Sequence, residues 1–396
     1  MKKLTLLSLV TACALYAGGY KVPETSTNGV ALSAATVAHS ISADAAYYNP
    51  ANMSFMANEN ALEMDLMIVG LDATHFEGSG AQASDSIDAK SETFFIPSIN
   101  YVSPEVGDYR FGFSMSVPGG LTKRWKDSPA VDKAEEFTLQ VVELNPTVAY
   151  KLTDSFAVAL GARIIHSEGI VKSSSVISRD MKGESFDYGY NLALSYKPTS
   201  ALSMALTYRS EIELGQEGTA KLYSPTGLAY DGGATVSVPL PALLNVAIAY
   251  TFQTKTTVEF VYERNFWSAY KTLDFDYVGD IGNLAPNFDT PIAKDWVDTN
   301  AYRLGVTQEL ERVTLMAGIV IDETPVPDAK VSYELPDSDS VSVSLGGRYQ
   351  VNDSWNLGLS ALYSMREERT VDNNEIEGEF SNGNVLIISA GLGYKF

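Results

Sequence analysis

Apolar and polar side chains alternate in short runs from Asn60 to the last residue. Leu62, Met64, Leu66 and Ile68 fall on one parity, with Glu63 and Asp65 on the other. Further on, Phe95, Ile99 and Tyr101 oppose Ser98 and Asn100. Tyr109, Phe111, Phe113, Met115 and Val117 oppose Arg110, Gly112, Ser114 and Ser116. A period of two with one oily and one polar face is the signature of a strand. Carried along the chain, it predicts about fourteen strands: residues 60–76, 94–103, 109–117, 136–150, 156–171, 186–196, 202–214, 236–252, 256–270, 296–308, 313–322, 341–349, 355–366 and 385–396.

The connections form a second pattern. Six are tight, at residues 103–108, 151–155, 197–200, 253–255, 309–312 and 350–354. They carry the Pro, Asp, Asn, Ser, Thr or charged side chains that suit turns. The seven between them are expected to be long, among them 214–235 and 271–294. Alternating short and long connections are the asymmetry of periplasmic turns and extracellular loops, and put both termini in the periplasm. A soluble β-sandwich also alternates, but its outward face is polar. No later run approaches the roughly 18 apolar residues of a spanning helix. Only a closed barrel can then satisfy every backbone group in lipid. The expected fold is all-β, a transmembrane antiparallel β-barrel over residues 59–396.

The stretch 18–58 breaks the pattern. It is rich in Ala, Ser and Thr, with neither a helical stripe nor strand alternation. Ahead of a series of wall strands, it reads as a plug in the barrel lumen, where small side chains let backbone approach the wall. A loose N-terminal tail is the plain alternative. Residues 1–17 read as a secretory signal peptide: Lys2 and Lys3, an apolar core from Leu4 to Ala14, and cleavage near Ala17. Val10 to Cys13 also resembles a lipoprotein box, which would leave Cys13 acylated. Otherwise the mature chain has no thiol, since Cys13 is the single cysteine.

Charge and candidate chemistry narrow the function. A net charge of −21 excludes nucleic acid as partner. The three histidines, His39, His75 and His166, have no metal-ligand spacing. There is no Gly-x-Ser-x-Gly elbow and no phosphate-cradling glycine loop. The expectation is a protein without catalysis, cofactor or metal. An outer-membrane lipase is the enzyme alternative.

Several segments, in order, carry a resemblance: Ala43 to Met53 with its Asn49-Pro50-Ala51, Leu206 to Glu211, Ala301 to Gly305, and Ala317 to Pro327. The mature chain resembles the FadL-type long-chain fatty-acid and hydrocarbon transporters of Gram-negative outer membranes. The resemblance implies a fourteen-stranded barrel closed by an N-terminal hatch. It also implies energy-independent capture of a hydrophobic molecule, an internal pocket, and sideways release beside a kink in the third strand. Long-chain fatty acids are the first expectation, and aromatic or alkane hydrocarbons the second. A structural or adhesive surface barrel is the alternative from another class.

The candidate residues follow. Asn49, Pro50 and Ala51 belong to the hatch, and Pro50 suits an anchor because it stiffens the backbone. Val117-Pro118-Gly119-Gly120 reads first as an ordinary strand-to-loop turn and second as the kink, with Gly112 another candidate. Lys123, Arg124 and Trp125, in the loop expected to follow, offer cations and an aromatic for ligand capture. Arg110, Arg163, Arg209, Arg303 and Arg348 have luminal parity. They are expected chiefly to pair with acids such as Glu63, Asp65, Glu143 or Glu259, and only secondarily to bind a carboxylate. Tyr394 and Phe396 resemble the terminal signal read by the barrel assembly machinery. Outer-membrane lipid, lipopolysaccharide and a monomeric state complete the expected setting.

Overall fold

The computed structural model describes residues 18–396; the expected signal peptide and Cys13 lie outside the described residues. Fourteen wall strands close into one antiparallel barrel. They are β1 (Ala61–Leu71), β2 (Glu92–Val102), β3 (Tyr109–Arg124), β4 (Glu136–Thr153), β5 (Phe156–Lys172) and β6 (Ser178–Tyr196). Next come β7 (Leu202–Arg209 and Ile212–Ser224) and β8 (Gly227–Leu240 and Leu243–Thr251), each broken once. The series ends with β9 (Thr256–Asn265), β10 (Thr299–Glu309), β11 (Val313–Asp322), β12 (Ser340–Gln350), β13 (Trp355–Arg366) and β14 (Val385–Lys395). Closure is the pairing of β1 with β14, from Ala61 opposite Lys395 to Leu71 opposite Val385.

The parity of the sequence becomes the two faces of the wall. Met64, Leu66, Ile68, Phe111, Leu192, Ile248 and Leu386 are exposed, as lipid-facing side chains must be, whereas Glu63, Asp65, Arg110 and Ser114 are buried. Apolar residues outside and polar residues inside invert the arrangement of a soluble protein.

The strand ends differ from expectation. β3 does not stop at Val117 but runs on to Arg124, β6 starts at Ser178, and β7 and β8 project far past the lipid band to a turn at residues 225–226. The expected long loop 214–235 is therefore mostly a hairpin. Beyond the membrane both faces of a strand meet water or loops, so the oily parity fades although the ladder continues. At the other extreme, the expected first strand is cut short. Thr74–Gly78 leaves the wall and joins Ser86–Asp88, Arg369–Asp372 and Glu377–Asn382 in a small outer sheet. Alternation alone does not say which sheet a strand enters.

Two irregularities matter for the site. First, β2 and β3 pair only from Ile99 opposite Met115 to Val102 opposite Gly112. Above that point Pro97 in β2 and Pro118 in β3 lack a donor, which suits strand edges rather than a continuous ladder. β3 also carries a bulge between Ser116 and Gly119 in its pairing with β4, and a bulge bends its strand. The wall thus holds an unpaired stretch between residues 92–98 and 116–123. Second, residues 266–298 between β9 and β10 fold over the lumen and bury Trp267, Tyr270 and Trp296.

The N-terminal segment from Gly18 to Ser54 is almost wholly buried against inward-facing wall residues. It contains α1 (Thr27–Ala31), α2 (Ala45–Tyr48) and a 3-10 turn (Pro50–Phe55). Ser26 caps α1 by accepting from Gly29 N. Glycines in the wall make room for it: a Cβ at Gly318 would land on the backbone of Leu32 and Ser33.

Candidate functional site

The inner half of the lumen is held by ion pairs. Arg163 and Arg209 both meet Glu143, and Arg209 stacks over the Tyr47 ring at 4.5 Å. Arg348 pairs with Glu63 and donates to Asn28 Oδ1 at 2.6 Å. Arg303 bridges Glu263 of the wall and Glu24 of the N-terminal segment, at 3.2 and 3.3 Å. Among the described residues Arg110 has no acid within ion-pair distance; its guanidinium donates to the carbonyls of Met53, Met56 and Ala57, tying the 3-10 turn to β3. Nor, among the described residues, does Glu259 have a cation within ion-pair distance. It accepts from the backbone of Val37, Ala38 and His39 at 2.6, 2.7 and 2.9 Å. Asn49 donates to Val37 O and to Ser195 Oγ of β6, while its own side-chain oxygen accepts from Ala51 N. Pro50 opens the 3-10 turn, and Ala51 is completely buried.

Toward the outside the chemistry changes. A cavity of about 620 Å³, counting its mouth, is lined by Leu121, Phe137, Leu139, Val171, Val236, Val238, Tyr270, Phe275 and Trp296, with Gln216 among the few polar groups. Its inner boundary is Tyr20. The Tyr20 hydroxyl donates to Pro239 O, and its ring packs edge-on against Trp267 at 4.7 Å. Beyond the cavity lies an open vestibule of about 2000 Å³ beside Arg179, Phe288 and Lys330. The apolar lining of the inner cavity, with its few polar groups, is that of a small-molecule site.

Lys294, Lys330, Ser332 and Glu334 border both spaces and form the doorway between them. Lys294 Nζ is paired with Glu334, and Lys330 Nζ lies 2.9 Å from Asp295. Burial alone would raise the Glu334 carboxyl, but the Lys294 ammonium and local hydrogen bonds hold it down to about 2. In the vestibule Arg179 sits 4.8 Å over the Phe275 ring, and burial lowers its pKa. Among the described residues no carboxylate lies within ion-pair distance of it.

The unpaired stretch of wall adjoins the cavity. Val22 N donates to Pro118 O at 2.9 Å and Gly120 N to Tyr20 O at 2.7 Å, so Tyr20–Val22 lies along the bent part of β3. Lys21 reaches the opposite wall, where it meets Glu263 and lies 3.7 Å from Asp322. Val22 and Val117 pack with Phe94 and Ile96 of β2, giving the gap an apolar interior.

Several expected residues sit elsewhere than the sequence suggested. Gly112 is paired to Val102 on one side and Thr147 on the other, so the opening is not there. Pro118, Gly119 and Gly120 are not a strand-to-loop turn; they lie within β3 at its bulge. Lys123 and Arg124 are strand residues, not an open loop. Lys123 Nζ donates to Thr74 Oγ1, and Arg124 bridges Glu92 and Glu136. Trp125 is 1% exposed and donates to Tyr333 O, in a cluster under the small outer sheet. None of the three lines the cavity. Tyr394 stacks on Trp355 at 4.2 Å and on Phe396 at 5.1 Å at the rim carrying the tight turns. Sequence reasoning missed Tyr20, Arg179, Lys294 and Glu334. The one signal available was the aromatic content of residues 266–298 on a stretch without alternation.

This arrangement can take up an apolar molecule. Residues 8–396 match the family described as outer membrane protein transport protein (OMPP1/FadL/TodX). The chain belongs to that family. Its relatives include a long-chain fatty acid transport protein of Escherichia coli, 23% identical over 87% of this chain and 85% of the relative. A FadL homologue of Pseudomonas aeruginosa shares the fold with a TM-score of 0.84 at 18% identity, over 95% of this chain and 99% of that one. The toluene transporter TbuX of Ralstonia pickettii does so with a TM-score of 0.73 at 17% identity, over 94% and 98%. This is a FadL-type outer-membrane transport protein for hydrophobic compounds of a Gram-negative bacterium, and its family and fold are those of transport channels rather than enzymes.

Proposed function

We propose that the chain carries hydrophobic molecules passively from the vestibule through the apolar cavity to the gap between β2 and β3, where they leave sideways into the membrane. One observation carries this reading: Tyr20 lines the cavity, and Tyr20–Val22 is hydrogen-bonded along β3 where the wall is unpaired. The N-terminal segment acts as a hatch of two parts. Residues 24–56 anchor it through the Glu24–Arg303 pair and through hydrogen bonds joining Asn28, Val37–His39, Asn49 and the 3-10 turn to wall side chains, and Tyr20–Val22, whose Lys21 must leave Glu263 to move, is the part that shifts. Lipid and lipopolysaccharide surround the wall, the assembly machinery reads Tyr394 and Phe396, and the barrel works as a monomer.

For substrate, the cavity favours uncharged hydrophobic molecules such as aromatic or alkane hydrocarbons, because both doorway cations already have acid partners. Long-chain fatty acids are the second reading. The name of the E. coli relative favours them, as does Arg179 in the vestibule, which has no carboxylate within ion-pair distance among the described residues.

Deleting Pro118 removes the extra residue of the bulge and straightens β3. Uptake of labelled toluene and oleate by cells carrying wild type, the deletion or no gene tests the reading. Wild type should exceed the empty strain for at least one ligand, and the deletion should lose most of that excess. Equal uptake in all three strains sinks the proposal.

A further inference from the structure

The doorway joins two unlike spaces, and its chemistry is unlike either. The cavity beyond it is walled by aromatic and aliphatic side chains. The vestibule before it is open and mixed. Every ligand using this route passes Lys294 and Glu334. Lys294 is 5% exposed and its ammonium is spent on Glu334. The other doorway cation, Lys330, is spent on Asp295. Arg179, with no carboxylate within ion-pair distance among the described residues though it feels the charge of Glu334, faces the vestibule side.

We infer that Glu334 determines head-group selectivity: by occupying Lys294 it leaves the doorway without a free cation and disfavours carboxylates relative to uncharged ligands of the same chain length. The inference rests on the transport reading and extends it to the discriminating residue. A ligand carboxylate at the doorway meets a second negative charge in a site shielded from water. Like charges within about 6 Å there cost enough to change affinity by roughly tenfold or more. An alcohol or a hydrocarbon meets no such term. Arg179 holds an anionic head group on the outer side and does nothing to bring it through. Glu334 is also well suited to stay charged, since Lys294 keeps its carboxyl far below neutral pH. The discrimination is therefore constant through the physiological range.

The test compares laurate with 1-dodecanol, which have equal chain length and differ in charge. Equilibrium binding of the two radiolabelled ligands is measured at pH 8 on the purified full-length protein in detergent. Wild type should prefer dodecanol. Glu334→Gln frees Lys294, and laurate affinity should rise about tenfold or more while dodecanol affinity changes less than about twofold. Glu334→Gln leaves a buried ammonium unpaired, so it is accompanied by the double variant Lys294→Met with Glu334→Gln, which has no unpaired charge. In that protein the preference for dodecanol should shrink, because the repulsion is gone without a new attraction. A ratio of the two affinities unchanged from wild type in whichever variant folds overturns the inference while leaving transport intact. Failure of wild type to bind either ligand overturns the transport reading and this inference with it.

Discussion

The two halves of the lumen are built on opposite rules. The inner half is crowded with charge: Arg163 and Arg209 on Glu143, Arg348 on Glu63, Arg303 between Glu263 and Glu24. The outer cavity is oily, with its charges at the doorway. Buried ion pairs contribute little net stability but penalise any rearrangement that separates them. They therefore suit a segment that must hold one position. Apolar surfaces are non-directional and accept ligands of varied shape. The barrel sets a charge-paired inner packing beside an apolar outer cavity, and Tyr20–Val22 lies where they meet.

That contrast can be broken from either side. The largest effect is expected from Glu143→Ala. It leaves two guanidiniums buried without an acid, a loss of roughly 3–5 kcal/mol. Heat-modifiable gel mobility should shift to markedly lower temperature, and an unchanged midpoint would refute the anchoring role. Ala51→Trp comes next, since it forces a large ring into a fully buried site beside β6 and should cost roughly 1–3 kcal/mol. Normal mobility together with normal uptake would count against the anchor. Val171→Ala in the cavity wall should leave the melting transition nearly in place and alter ligand affinity instead; the reverse outcome would make the cavity structural. The smallest effect concerns acid. The Glu334 carboxyl is depressed in the folded state from about 4.5 to about 2. Its pairing is therefore present in full above pH 4.5 and lost as pH falls toward 2. Dodecanol-over-laurate preference should be flat from pH 8 to pH 6. A steep change across that range would show that Glu334 is not the charged group in play.

The sequence by itself determined the wall. Period-two alternation exists because successive strand side chains point to opposite faces, so Met64, Leu66 and Ile68 had to share a face that Glu63 and Asp65 did not. Turn composition gave the tight rim, and the parity of the five arginines gave the polarity of the lumen. Local signals of this kind survive in one dimension. Tertiary structure decided where strands end once both faces are wet, as with β3 running on to Arg124 and β7 and β8 projecting past the lipid band. It also decided which loops fold inward, bringing Trp296 and Lys294 over the lumen. The gap itself was decided there too. Pro97 and Pro118 are visible to any reader of the chain, but an unpaired stretch is a property of two strands in register. The same holds for Lys294 and Glu334, 40 residues apart. Their partnership follows from the inward folding of the β9–β10 and β11–β12 connections, which sets side by side what the chain keeps separate.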